Sequence, residues 1–207
     1  MKQLAHCSIL PFFCLLVFGP YLSTSAFAAS LSYYVNKYRG IAVNSVQAHR
    51  ISRYNHLIEH FSSFAYIQSG HKVNPDFIRA LMLAESNAKP RAVSSKGARG
   101  LCQIMFSTGK IAAQELAKLD LRYRYVSRRR LVRLKEKDLF SPSVNILLTC
   151  YLIAKYNDRF RGRLDLVVAA WNAGENSIHR SRVPQYKETL DLIGKVNGYF
   201  TYYHLRH

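Results

Sequence analysis

Acidic residues are scarce in this 207-residue chain, which carries 12 aspartates and glutamates against 30 lysines and arginines, a formal net charge of +18 at pH 7. A surface this basic favours a polyanionic partner, and nucleic acid, anionic lipid or a carboxylate-rich polymer would each fit. Because carboxylates are so few, each one in a defined environment is informative. The hydrophobic fraction of 49% is enough for a packed core and excludes wholesale disorder.

The chain also lacks an internal repeat and any useful run of alternating polar and apolar residues. Apolar positions recur instead at spacings of three and four, which is typical of amphipathic helices. At Asn74-Pro75-Asp76 a cap residue, a first-turn proline and an acid mark a helix start. The length suits one domain. We therefore predict a single, mostly α domain with helical segments over 45–66, 75–86, 111–119, 144–160, 164–171 and 189–203.

No hydrophobic run is long enough for an ordinary membrane span. The apolar stretch 9–22 falls short of the roughly 20 residues required and contains two prolines. It follows Lys2 and precedes Ala26-Phe27-Ala28, an order typical of a secretory signal peptide cleaved after Ala28. An uncleaved anchor is the alternative. We expect residues 1–28 to be removed, leaving a periplasmic protein without a transmembrane segment.

Cysteine is rare as well, and cleavage would remove Cys7 and Cys14. Cys102 and Cys150 would remain. In an exported protein such a pair can form a disulfide, which would close a long loop and stabilise the fold by roughly 4 kcal/mol. Two buried free thiols are the alternative, and the disulfide is the prediction tested below.

A basic stretch lies between Lys118 and Lys137, with Tyr123 and Tyr125 among its arginines. Arginines that bind phosphates and tyrosines that stack on bases would suit nucleic acid. A solvated basic face is the simpler interpretation of such a charge run. Export also argues against a nucleic-acid partner, and we expect none.

Glu85 stands near the end of the predicted helix 75–86. Ile78, Leu81 and Met82 precede it by seven, four and three residues, so all three share its helical face. Desolvation on an apolar stripe and the negative end of the helix dipole both raise the pKa of a carboxyl group. A carboxyl group that stays protonated near neutral pH can act as a general acid. An acid turned to water at a frayed helix end is the alternative.

Residues 56–60 read His-Leu-Ile-Glu-His, which matches the inverted zinc-peptidase motif. His56 and His60 would bind zinc and Glu59 would act as base. The match is only five residues long, and Glu115 or Glu136 would have to supply the third ligand. The apolar residues inside the motif also suit an ordinary amphipathic helix.

Four sequence blocks resemble the consensus of one family. They are Glu85-Ser86, residues 92–105, Asn145-Ile146 and residues 169–174, and they appear in the family's order with family-like spacing. The family is the soluble lytic transglycosylase (SLT) catalytic domain, which has the goose-type lysozyme fold. The resemblance covers about Leu57 to Tyr199. With the signal peptide over 1–28, the resemblance gives a domain organisation of an N-terminal helical extension over 29–56 and an SLT-like catalytic domain over 57–203.

The resemblance implies peptidoglycan as substrate and cleavage of the β-1,4 bond between N-acetylmuramic acid and N-acetylglucosamine. Most glycosidases use two carboxylates, whereas this family uses one, which protonates the leaving oxygen and then deprotonates the 6-hydroxyl of the muramic acid. A 1,6-anhydro sugar forms and no water is consumed. The resemblance implies no cofactor and no metal. The expected partners are glycan strands and an envelope-spanning secretion or pilus machine.

The same resemblance assigns the site residues. Glu85 matches the catalytic acid and Ser94 a serine that contacts the sugar near the cleavage point. The remaining substrate-binding residues that it implies are Gln103, Met105, Trp171 and Asn172.

The sequence departs from the family at several positions. Cys102 and Phe106 replace the usual methionine and proline, Trp171 replaces a tyrosine, and Leu192 stands where relatives carry a tyrosine that contacts the acid. Two hydroxyl groups near the site are therefore missing, and the candidates to replace them are Tyr199, Tyr202 and Tyr203. Because of these changes, two alternative functions remain: a hydrolase of the same fold, and a glycan-binding protein without catalytic activity.

Overall fold

The computed structural model describes the backbone from Leu22 to Arg206 and the side chains from Ser30 onward. Within these residues, the β-structure is limited to isolated bridges and the regular elements are helices. The predicted mostly α fold is therefore confirmed. Two short 3₁₀ helices span Glu136–Phe140 and Glu175–Ser177. The α-helices are α1 (Leu22–Lys37), α2 (Ser45–Ser52), α3 (Asn55–Ser62), α4 (Pro75–Ser86), α5 (Phe106–Leu116), α6 (Arg128–Val132), α7 (Pro142–Arg159), α8 (Leu164–Ala173) and α9 (Lys187–His204).

Helix α4 is buried along most of its length and starts where the sequence predicts. Asn74 caps it by accepting a hydrogen bond from the Asp76 amide at 2.8 Å, and Pro75 occupies the first turn. The helix stops at Ser86 because Asn87 takes the left-handed conformation, with φ of 54°. Its fully buried side chains are Ile78, Ala80, Leu81 and Met82.

The loop between α4 and α5 is held in place by a buried side chain of α7. The Asn145 Nδ2 donates to the carbonyls of Arg99 and Leu139 at 3.0 and 2.9 Å, and its Oδ1 accepts from the Cys102 amide at 2.9 Å. Gly100 is required beside it, because a Cβ there would lie 2.3 Å from the Leu139 carbonyl oxygen. Two blocks far apart in sequence thus form one packed unit.

Helix α9 lies between α4, α8 and α1. Two of its glycines allow α1 to approach its backbone closely. A Cβ on Gly194 would lie 2.3 Å from the Tyr34 carbonyl oxygen, and one on Gly198 would lie 2.5 Å from that of Tyr38. The Tyr38 hydroxyl also donates to Asp191 of α9 at 2.8 Å. Residues before the predicted catalytic domain are therefore packed firmly against it.

Most of the predicted signal peptide lies outside the described residues. Its last residues, from Leu22, form the first turns of α1, which continues to Lys37. Among the described residues, no helix combines the length and hydropathy needed to cross a membrane.

The predicted disulfide is absent from the structure, where Cys102 and Cys150 are both buried free thiols. Each thiol already has a polar neighbour. The Cys150 Sγ lies 3.8 Å from the Ser62 Oγ, and the neighbour of the Cys102 thiol is Thr149, which lowers the pKa of that thiol. Burial raises the pKa of both thiols, to about 12 for Cys150, which keeps them protonated and unreactive. The structure therefore agrees with the alternative, two free thiols buried in the core.

Candidate active site

Glu85 opens onto a cleft at the C-terminal end of α4. The cleft has a volume of about 570 Å³ and is walled by α4, the loop before α5, α9 and one residue of α2. We call it the Glu85 cleft. Its lining residues are Gln47, Leu83, Ala84, Glu85, Ser86, Asn87, Lys89, Ala92, Val93, Ser94, Gln103, Lys195 and Tyr199.

Glu85 is distinguished from the other acids because it combines partial burial with the lack of a cationic partner among the described residues. Nine of the twelve aspartates and glutamates form ion pairs. The three without one are Glu85, Asp120 and Asp158, and all twelve acids lie in the described part of the chain. Asp120 and Asp158 are exposed, whereas Glu85 is partly buried. Glu85 is also the sole carboxylate among the described residues that line the cleft.

Burial raises the pKa of Glu85 to about 7. The hydrogen bond from Trp171 and the positive charge of Lys195 act in the opposite direction, and the charge of Glu188 raises the pKa further. The upward shift expected from the apolar stripe is confirmed. A carboxyl group with this pKa is protonated in a large fraction of molecules near neutral pH, as a general acid requires.

Trp171 donates a hydrogen bond from its indole Nε1 to the Glu85 Oε1 at 2.8 Å. The residue comes from the last turn of α8, whose hydrophobic face is buried and so fixes where the ring points. The sequence suggested that tryptophan keeps a ring here and loses a hydroxyl donor. In the structure, the indole N–H of Trp171 serves as a hydrogen-bond donor to the Glu85 carboxyl group.

Ser94 and Gln103 also line the cleft, and both are engaged with their own loop. The Ser94 Oγ accepts a hydrogen bond from the Ala98 amide at 3.0 Å. The Gln103 Nε2 donates to the carbonyls of Ala92 and Gly100 at 3.2 and 2.9 Å. These bonds shape the wall of the cleft that the loop forms, and the roles of both residues in binding sugar stay predictions.

Met105 and Asn172 are not among the residues that line the cleft. Met105 is 41% exposed and precedes the first turn of α5. The Asn172 Oδ1 accepts a hydrogen bond from the Thr189 Oγ1 at 2.6 Å, which ties α8 to α9. Asn172 therefore positions α9, and a direct contact of either residue with substrate stays a prediction.

The cleft residues that the sequence did not single out include Gln47, Lys89 and Lys195. Gln47 comes from the N-terminal extension, and nothing in the sequence places that segment beside Glu85. A signal did exist for Lys195, because Leu192, Lys195 and Tyr199 stand at helical spacing and therefore share one face of α9.

The histidine motif of α3 is used for packing. The rings of His56 and His60 both contact Tyr125 edge-to-face, and Glu59 is paired with the buried Arg79. No group of three residues able to hold a metal occurs among the described residues. Tyr123 is buried and donates to the Leu116 carbonyl at 3.0 Å, so its ring is not presented for stacking on bases.

A protein-family model described as the transglycosylase SLT domain matches residues 62–191. A Haemophilus influenzae protein whose name places it among the soluble lytic murein transglycosylases is 29% identical, over 64% of this chain and 23% of that protein.

Two solved structures share the fold. The 70 kDa soluble lytic transglycosylase of Escherichia coli matches with a TM-score of 0.59 and 21% identity, over 89% of this chain and 30% of that one. The lytic transglycosylase Slt of Pseudomonas aeruginosa, an inactive variant, matches with a TM-score of 0.53 and 23% identity, over 65% and 22%. The chain thus spans less than a third of these relatives' length. Because the family model covers more than half of the chain, this protein belongs to the transglycosylase SLT domain family.

Proposed function

We propose that this protein is a lytic transglycosylase that cleaves the β-1,4 bond between N-acetylmuramic acid and N-acetylglucosamine in peptidoglycan, with Glu85 as its acid and base. The observation that carries the proposal is a single unpaired, partly buried carboxyl group with a pKa of about 7 in an open cleft. Membership of the SLT family supports it. So does the Pseudomonas relative, which is inactive with a glutamine in place of a glutamate.

In the first step, protonated Glu85 donates its proton to the glycosidic oxygen as the bond from that oxygen to the anomeric carbon breaks. Protonation of the leaving group is what a general acid contributes. The Trp171 N–H, 2.8 Å from the Glu85 Oε1, stabilises the carboxylate that this transfer leaves behind.

In the second step, the Glu85 carboxylate accepts the proton of the muramic acid 6-hydroxyl. The hydroxyl oxygen then bonds to the anomeric carbon and closes the 1,6-anhydro ring. One C–O bond has broken and one has formed, Glu85 is again protonated, and water is neither consumed nor released. No second carboxylate lines the described cleft, which fits a cycle that needs only one.

We further propose that the protein works in the periplasm after removal of residues 1–28, with peptidoglycan glycan strands as its partner. The basic surface supports this location, because the peptide stems of peptidoglycan carry carboxylates. An envelope-spanning secretion or pilus machine stays a prediction from the family resemblance.

Digestion of purified sacculi by wild type, Glu85→Gln and Glu59→Gln tests the function. Glutamine keeps the size of Glu85 and cannot transfer the proton, so we expect release of anhydromuropeptides to fall by about 10⁴-fold, the upper end for general acid–base groups, since Glu85 acts twice. Binding to sacculi should persist. Glu59→Gln is the control, because Glu59 pairs with Arg79 away from the cleft.

The products are identified by mass spectrometry on variants whose melting curves show that they are folded. Anhydromuropeptides released by Glu85→Gln at near the wild-type rate would refute the role of Glu85. Products with a reducing end from wild type would identify a hydrolase, and no product from folded wild type would identify a binding protein. Loss of activity in zinc-containing Glu59→Gln would favour the metallopeptidase.

A further inference from the structure

We propose that Tyr199, held by Gln47, donates a hydrogen bond from its hydroxyl to the glycan strand in the Glu85 cleft, so that helix α2 is part of the catalytic unit. The inference rests on the proposed function, since it assumes that a glycan occupies the cleft. Gln47 and Tyr199 both line the cleft, and both lie outside residues 62–191, where the family model matches.

The side chain of Gln47 is fixed at both ends. Its Oε1 accepts a hydrogen bond from the Asn44 amide at 3.0 Å, while the Asn44 Oδ1 accepts one from the Gln47 amide at 2.9 Å. This reciprocal capping box starts α2. The Gln47 Nε2 donates to the Tyr199 hydroxyl at 3.1 Å, and the residue is 9% exposed. A buried amide with two such partners has one orientation available.

That orientation decides what the Tyr199 hydroxyl can do. A backbone N–H can only donate, so the Gln47 atom that faces Asn44 must be the oxygen and the atom that faces Tyr199 must be the nitrogen. The phenolic oxygen therefore accepts from Gln47, and its own hydrogen remains to be donated. No acceptor for this hydrogen occurs among the described residues, and the tyrosine borders the cleft. A buried hydroxyl that keeps a free donor beside an open cleft is suited to bind a sugar oxygen.

Tyr199 acts on the glycan and not on the acid. In the described structure the hydrogen-bond donor to Glu85 is Trp171. Tyr199 stands seven residues after Leu192, about 10 Å further along the same face of α9. Lys195 and Tyr199 line the cleft and Leu192 does not, so Tyr199 would reach the strand away from the position of the missing tyrosine.

The other two tyrosines considered as replacements are placed differently. The Tyr202 hydroxyl donates to the Val43 carbonyl at 3.4 Å, and the Tyr203 hydroxyl is buried and has no hydrogen-bond partner within the described part of the chain. Both line a separate cavity that contains Arg79 and Arg206. Of the three, Tyr199 is the one in the cleft.

The test compares Tyr199→Phe with wild type on sacculi over a range of substrate concentrations. Phenylalanine keeps the buried ring and removes the hydroxyl, and with it both the bond accepted from Gln47 and the bond donated to the glycan. The second bond acts on substrate binding, so we expect KM to rise about two- to tenfold. We expect kcat to change less, and the pH profile to stay in place, because the acid and its Trp171 bond are intact. Tyr202→Phe is the matched control on the same helix and should leave KM unchanged.

Gln47→Met and the double variant Gln47→Met/Tyr199→Phe complete a double-mutant cycle with Tyr199→Phe and wild type. If Gln47 acts as a positioning residue through the Tyr199 hydroxyl, its substitution should raise KM in the tyrosine background and have little further effect in the phenylalanine background. Asn44→Ala, which breaks the same capping box without touching Tyr199, should lower the melting temperature with a smaller effect on KM.

The outcomes separate the two proposals. An unchanged KM in folded Tyr199→Phe, with turnover still dependent on Glu85, would overturn this inference and leave the function in place. Additive effects of the two substitutions would overturn the role of Gln47. Full activity of Glu85→Gln would refute the function itself, whatever Tyr199 does. Should Gln47→Met fail to fold, Tyr199→Phe alone decides.

Discussion

The proton affinity of Glu85 results from neighbours that oppose one another. Burial favours the neutral acid and is the largest effect, and the charge of Glu188 acts in the same direction. The Trp171 N–H and the Lys195 ammonium favour the carboxylate. The balance leaves the pKa at about 7, which suits a group that must both give up and take back a proton.

Trp171→Phe should raise the pKa of Glu85. The indole bond lowers the pKa of Glu85, so its removal should raise the pKa above about 7. The active acid form exists below the pKa, and the alkaline limb of the kcat/KM profile should therefore shift to higher pH. The rate at the optimum should fall, because the carboxylate left after the first step loses its donor. The measurement is kcat/KM on sacculi from pH 5 to pH 9.

Trp171→Tyr is the control for this experiment, since it keeps a ring and offers a hydroxyl donor. We expect a smaller shift than with phenylalanine. An alkaline limb that stays in place in Trp171→Phe would contradict the assignment of this limb to Glu85 and its indole partner.

At the scale of helices, the contact between α1 and α9 depends on two glycines. Gly194 and Gly198 face the carbonyls of Tyr34 and Tyr38. Ala is better than Gly in a helix interior by about 1 kcal/mol, so a glycine at such a position needs a packing reason. Here the reason is the approach of α1, which fixes the helix that presents Lys195 and Tyr199 to the cleft.

Gly194→Ala should therefore destabilise the protein although it improves helix propensity. The new Cβ would lie 2.3 Å from a backbone oxygen, so α1 must move. Overpacking costs about 1–3 kcal/mol, which outweighs the gain of about 1 kcal/mol from propensity. We expect a lower melting temperature and faster proteolysis of α1. Asn197→Ala, at an exposed position of the same helix, should not destabilise, and an unchanged Gly194→Ala would show that α1 is loosely packed.

The predicted helical segment 45–66 is two helices in the structure, and the break matters for function. Helix α2 ends at Ser52 and α3 starts at Asn55. The apolar spacing continues through the break, so periodicity alone does not reveal it. The separate α2 carries Gln47 to the cleft, while α3 packs on α7.

Across the described structure, most of the few acidic side chains form ion pairs with nearby cations, and the excess lysines and arginines are exposed to solvent. The basic stretch 118–137 is an example: Arg122, Arg124, Arg129 and Arg133 are exposed and form no ion pair in the described structure. Their field extends about 10 Å at 0.1 M salt and is screened at higher ionic strength. Such a surface strengthens binding to a polymer that carries carboxylates.

Binding of Glu85→Gln to sacculi should therefore weaken as salt rises. The inactive variant isolates binding from turnover, and cosedimentation at 50 to 500 mM NaCl measures it. We expect the affinity to drop by roughly tenfold over this range, because many weak charge contacts are screened together. Sacculi whose carboxyl groups have been amidated are the control and should bind weakly at every salt concentration. Salt-independent binding would assign the affinity to the cleft alone.

The sequence by itself determined the features that depend on neighbouring residues in the chain. It located helix 75–86 from its cap and proline, placed Glu85 on an apolar stripe and predicted the direction of its pKa shift. The family blocks predicted the fold, and the structure confirms it. Helical spacing, capping and desolvation by residues of the same helix are local effects, so they can be read from local sequence.

Only the tertiary structure decided how distant segments meet. It brought Trp171 to Glu85 as a donor, placed Tyr199 on the cleft and Tyr202 and Tyr203 on a separate cavity, and carried Gln47 into the cleft. It also left Cys102 and Cys150 as separate thiols. The contacts at the cleft depend on how α2, α8 and α9 meet beside α4, and the placement of the thiols depends on how α7 packs against the loop before α5. The direction of a side chain after two helices have packed is set by both surfaces, and spacing along one chain segment does not contain that information.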